Sequence, residues 1–101
     1  MATQGGLVSE LFKQRVRVPE HVLVRALQGE SVILNLLDEQ YVGLDRVGTR
    51  FWETLAAAAS IEQAFAVLLA EYEVDPVRLE SDIAGFIDGL VERNLIELLD
   101  A

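Results

Sequence analysis

The chain has 101 residues, 51% of them apolar, and no cysteine. That length suits one domain with a real core, the apolar share excludes a disordered chain, and disulfide and thiolate chemistry are excluded outright. Eight basic residues face seventeen acidic ones, a formal net charge of −9, which argues against phosphate-backbone binding and for a solvated acidic surface or a partner carrying basic residues.

Residues 1–6 read as a loose tail around Gly5 and Gly6, with no basic stretch leading into an apolar run as a signal peptide would show. Leu7, Val8, Leu11 and Phe12 follow at helical spacing. They predict either a short helix packed on the domain or part of a self-association surface, as in a homodimer. Residues 1–15 are therefore set apart as a tail or short helix, and residues 16–101 as the domain. Pro19 interrupts the next apolar run, so a strand through it must bend or lie at an edge. Residues 21–27 make the better strand. Gln28, Gly29 and Glu30 form a turn. A second strand covers residues 31–37, where Val32, Leu34 and Leu36 alternate with Ser31, Ile33 and Asn35 and give the richer apolar face. Asp38 and Glu39 break the pattern. A third strand covers Gln40–Leu44, with Gly43 placed as at a bulge or a close backbone approach. Short connections predict an antiparallel meander in the order first, second, third, with the third strand at an edge.

Three helices are expected next. Asp45 is an N-cap for the first, over residues 46–58, with Val47, Phe51, Leu55 and Ala58 on one face and Trp52 beside it. Ser60 and Gln63 form a capping-box pattern for the second, which runs to about residue 72 on Ile61, Ala64, Phe65, Leu68, Leu69 and Tyr72. Asp75 followed by Pro76 starts the third, which runs to about residue 93 on Leu79, Ile83, Phe86, Ile87, Leu90 and Val91. Asn94 stops it, because asparagine tolerates the left-handed conformation. Residues 95–99 resume as a short strand or an extended tail. The class is α+β, a three-stranded antiparallel sheet followed by three helices in a winged helix-turn-helix-like arrangement.

Little in this pattern is catalytic. His21 is the lone histidine, without convergent partners for a metal or for base chemistry. Ser60 is explained as a cap, and Ser9, Ser31 and Ser81 lack the context of a nucleophile. Asp82, Asp88 and Glu92 read as a solvated face. Gly43 and Gly48 do not make a phosphate loop. Tyr41 and Trp52 fit core or groove-lining roles. Gly85 and Gly89 sit mid-helix at a cost of roughly 1 kcal/mol each against alanine. They lie opposite Ile83, where small residues would let another chain approach closely. No catalytic residue, metal or cofactor is expected, and no stretch is long and apolar enough to span a membrane.

The run Tyr41-Val42-Gly43-Leu44-Asp45-Arg46-Val47-Gly48-Thr49-Arg50-Phe51-Trp52 resembles the PqqD-like family. That family includes PqqD of pyrroloquinoline quinone biosynthesis and the leader-recognition domains of ribosomally made, modified peptides. The resemblance extends over residues 22–97. Members usually read Tyr-Tyr-Gly-Leu-Asn at positions 41–45, and carry a Thr-Gly-type turn where this chain has Asp38 and Glu39. The resemblance implies a cytoplasmic, non-catalytic module that takes up the leader segment of a precursor peptide as an added strand. It would then present that precursor to a modifying enzyme such as a radical enzyme or a leader peptidase. The implied contacts are Gln40, Tyr41, Val42, Gly43 and Leu44 on the edge, with Ser81, Asp82, Gly85, Phe86 and Gly89 on the third helix. Two alternatives are a winged-helix DNA-binding regulator, which the outward Asp, Glu and Gly of that helix oppose, and a structural or oligomerisation domain.

Overall fold

The computed structural model describes residues 10–101. The readings placed on residues 1–9, including Leu7 and Val8, fall outside the described residues. Residues 10–12 form a helical turn that buries Phe12 against Phe65, ring centroids 5.4 Å apart. Strand β1 (Gln14–Arg17) follows and pairs antiparallel with the last strand, β5 (Glu97–Asp100). Val16 is buried and Arg17 forms an ion pair with Glu97. The buried Pro19 and a turn at Glu20 and His21 separate this ribbon from the main sheet.

That sheet has the order β2 (Val22–Leu27), β3 (Glu30–Asn35), β4 (Gln40–Leu44), all antiparallel. Two residues close the β2–β3 hairpin. Gln28 at φ 51° and Gly29 at φ 88° supply the two positive dihedrals that such a turn needs to match strand twist. Strand β3 ends at Asn35, two residues earlier than its apolar pattern suggests. There the Asn35 carboxamide oxygen accepts from the Leu37 N–H at 3.0 Å and bends the chain away. Glu39 then turns through φ 61°.

The core face of β3 is the opposite of the one that its apolar residues favour. Ser31, Ile33 and Asn35 are buried, while Val32 and Leu34 are half-buried on the outer face. Both buried polar groups are satisfied: the Ser31 and Thr49 hydroxyls bond at 2.8 Å, and Asn35 Nδ2 donates to the Arg93 carbonyl at 3.1 Å. Gly43 is not at a bulge, since it pairs in unbroken register with Val32.

Helix α1 (Arg46–Ala57) starts at Asp45, whose carboxylate accepts from the Gly48 N–H at 2.8 Å. Its buried residues are Thr49, Phe51, Trp52, Thr54 and Leu55, whereas Val47, expected on the buried face, is exposed. Helix α2 (Ile61–Glu71) starts at Ser60, which accepts from the Gln63 N–H at 3.0 Å; Gln63 reaches back one residue further than expected, to the Ala59 N–H. Helix α3 (Pro76–Glu92) buries Leu79, Ile83, Ile87 and Leu90, with Phe86 half-buried and Val91 exposed. At its end, Asn94 at φ 57° lets the Leu95 N–H reach the Leu90 carbonyl and the Asn94 N–H reach the Val91 carbonyl. That pair of bonds is the Schellman arrangement, and the apolar contact that accompanies it is made by buried Leu90 and Leu95. The core joins Ile33 to the inner faces of all three helices.

Candidate functional site: an open sheet edge beside a helix

Among the described residues strand β4 has one partner, β3, and its other side is open. Which residues aim at that open side follows from one bond. The Leu36 N–H donates to the His21 carbonyl at 2.8 Å, which continues the β2–β3 ladder. Antiparallel ladders alternate between bonded and non-bonded pairs, so the even residues of β3 face β2 and the odd ones face β4. Ile33 therefore bonds with Val42, and Ser31 with Leu44. The N–H and C=O groups of Tyr41 and Gly43 point away from the sheet.

The side chains divide by the same parity. Val42 and Leu44 are half-buried toward the core, while the Tyr41 ring is 69% exposed on the outer face. Gly43 belongs to that outer face, and a Cβ built there would meet nothing within 4 Å.

Helix α3 supplies the wall beside this edge. Its last turn reaches the start of β4, where Asn35, Gln40, Tyr41, Val42, Arg93 and Leu95 line a shallow recess. Going back along the helix from Arg93 in steps of four, three and four residues gives Gly89, Phe86 and Asp82 on the same flank. Phe86 is half-buried and meets the Phe51 ring edge-on at 5.6 Å. Ser81 and Gly85 lie further round, toward solvent. A Cβ at Gly85 or Gly89 would also meet nothing within 4 Å, so neither glycine is needed for packing within the chain. The residues singled out from the sequence thus fall into three places: Gln40–Leu44 on the open edge, Asp82, Phe86 and Gly89 on the helix flank that carries Arg93, Ser81 and Gly85 further round the helix. Asn35 and Arg93 were not among them. Arg93 carries a signal in its four-residue step from Gly89; Asn35 carries none, since its role depends on a helix end 58 residues away.

Charge is sparse at the edge. Asp82 lies 4.0 Å from Arg78, and Arg93 forms no ion pair among the described residues. A bidentate ion pair lies elsewhere, between α1 and α2, where the Arg50 guanidinium grips both oxygens of Glu71 at 2.8 Å. That hydrogen-bonded guanidinium holds the Glu71 carboxyl below the usual carboxylate range. Among the described residues no three His, Asp or Glu side chains converge as a metal site would need, and no helix is long and apolar enough to cross a membrane. What the edge offers is main-chain donors and acceptors near a helix flank where Phe86 is the large apolar side chain and Gly89 leaves open space.

These elements define a small α+β domain of winged-helix type with one sheet edge open beside its last helix. The chain belongs to the PqqD family, described as Coenzyme PQQ synthesis protein D, which matches residues 30–96. It is similar to a solved structure of TbiB1 in complex with the TbiA(beta) leader peptide, with 32% identity, a TM-score of 0.76, and coverage of 80% of this chain and 94% of that one. A lasso peptide synthetase B1 complexed with the leader peptide shares the fold at 23% identity, with a TM-score of 0.74 and coverage of 82% and 98%. No curated protein matches the chain.

Proposed function

We propose that this protein is a non-catalytic peptide-binding module that takes up the leader segment of a ribosomally made precursor as a fourth strand on β4. It would present the precursor to a modifying enzyme, of the radical or leader-peptidase kind, in the cytoplasm. The observation that carries the reading is the outward aim of the Tyr41 and Gly43 backbone groups beside the α3 flank, in a chain 32% identical to TbiB1. Strand addition draws affinity from main-chain bonds and sequence preference from the pockets that alternate side chains enter. One parity of the peptide would face Val42, Leu44, Phe86 and the space beside Gly89. The other would lie on the outer face with Tyr41.

The test is selection from a displayed library of random peptides on the immobilised protein. The expected result is enrichment of extended sequences with apolar residues at alternate positions, and loss of their binding in Tyr41→Pro. That change removes a donor that the sheet does not use, costing roughly 1 kcal/mol or more of binding. Val42→Pro removes a donor within the ladder and is expected to lower the melting temperature as well. Selected peptides that bind Tyr41→Pro as tightly as the parent would overturn the reading.

A further inference from the structure

The opposite edge of the sheet is also open, and its composition is unusual. Among the described residues, strand β2 pairs only with β3. Of its six residues only Val22 is half-buried; the other five are exposed, and Arg25 is the single charge among them. Leu23 and Val24 are each 38% exposed and Leu27 is 61% exposed. Edge strands are ordinarily protected by proline, by bulges, by lysines or by brevity. Strand β2 has no proline, and its register with β3 is unbroken over all six residues.

The backbone parity is fixed by the bond that fixes it on β4. His21, Leu23, Arg25 and Leu27 aim at β3, so Val22, Val24 and Ala26 aim outward. The Val22 N–H is taken by the Pro19 carbonyl at 3.1 Å. The Val24 and Ala26 N–H groups and the carbonyls of Val22, Val24 and Ala26 have no backbone partner among the described residues.

We infer that β2 is a self-association edge, which pairs antiparallel with β2 of a second copy about a twofold axis through Val24. In that register Val24 meets Val24 of the second copy, and Ala26 meets Val22 in both directions. The two Val24 residues exchange two main-chain bonds. Each Ala26 N–H donates to the Val22 carbonyl opposite. The one N–H already used, that of Val22, is not required as a donor. Arg25 falls opposite Leu23 of the second copy, so the two arginines do not face each other and each aliphatic stem covers a leucine. The edge can therefore pair with itself in hydrogen bonding and sets no like charges opposite each other, which is what an isologous contact demands. The result is a continuous six-stranded sheet whose two outermost strands are both β4. Both β4 edges stay open, and the inference stands independently of what binds there.

Sedimentation velocity of the full chain over a wide concentration range tests it. The expected result is a monomer–dimer equilibrium that tightens as salt is added, because each copy carries a net charge of −9 and screening relieves the repulsion between copies. Val24→Pro removes both central bonds and is expected to weaken the dimer roughly tenfold or more. Val24→Lys keeps the N–H but sets two like charges directly opposite, and is expected to leave a monomer with an unchanged circular dichroism spectrum. The two variants together cover the case in which proline disturbs the fold. A chain that stays monomeric at every concentration and salt overturns the inference. So does a dimer that survives Val24→Lys, or one that is lost in Tyr41→Pro and kept in both Val24 variants.

Discussion

Glu39 holds a positive φ of 61° in the β3–β4 turn, a conformation that puts its Cβ close to the following carbonyl. Glu39→Gly removes that conflict and is expected to raise stability by about 1 kcal/mol, read as a shift in the urea midpoint at constant slope. Asn35 is the counter-case. Its carboxamide serves the Arg93 carbonyl, the Leu37 N–H and, at 3.4 Å, the Asp38 carboxylate. Asn35→Ala removes these bonds from a buried position and is expected to cost about 1–3 kcal/mol by the same measurement. These two residues also show where sequence reading stops. A turn at Asp38 and Glu39 was legible from polarity alone. The reversed face of β3 was not, because Ser31 and Asn35 are acceptable in the core only through Thr49 and Arg93, partners that no local period reveals.

The helices were the most legible elements, since Asp45 and Ser60 cap by local side-chain bonds, Pro76 opens the third helix and Asn94 ends it. The β1–β5 ribbon was the least legible, because its pairing closes across almost the whole chain. Two predictions belong to the helices. Gly89 has open space where a Cβ would go, so Gly89→Ala is expected to raise stability by roughly 0.5–1 kcal/mol. Gly89→Leu is expected to keep the fold and weaken binding of library-selected peptides, measured by titration calorimetry. The second concerns Arg50 and Glu71, which join α1 to α2. The Glu71 pKa is lower in the folded protein than in the unfolded chain, so the pair's contribution is present above the ordinary carboxylate range and fades as pH falls through the folded value. The gap in melting temperature between the parent and Arg50→Met should therefore narrow below about pH 4.

Across the whole molecule, a winged-helix outline is combined with a net charge of −9 and with Asp82, Asp88 and Glu92 exposed along α3. Duplex DNA presents phosphates at every step, and a helix with that face would be repelled from either groove. Fluorescence anisotropy with random duplex at physiological salt is expected to show no binding in the micromolar range; affinity that falls steeply as salt is added would contradict this.

The end of α3 is clasped twice. Asn35 Nδ2 donates to the Arg93 carbonyl, and His21 Nε2 donates at 3.0 Å to the Asn94 carbonyl, which as an acceptor requires the hydrogen on that nitrogen. The start of the helix has no side-chain bond from Asp75. Leu79, Ile83, Ile87 and Leu90 pack α3 along its length, and the two polar bonds add a restraint at its last turn alone. Amide exchange should be slowest toward its last turns and fastest toward its first, and Asn35→Ala should reduce that gradient. The Gln40 end of the open edge abuts that doubly bonded end. Under the proposed strand addition, an incoming strand would pair at Gln40 beside the more firmly held end of the helix.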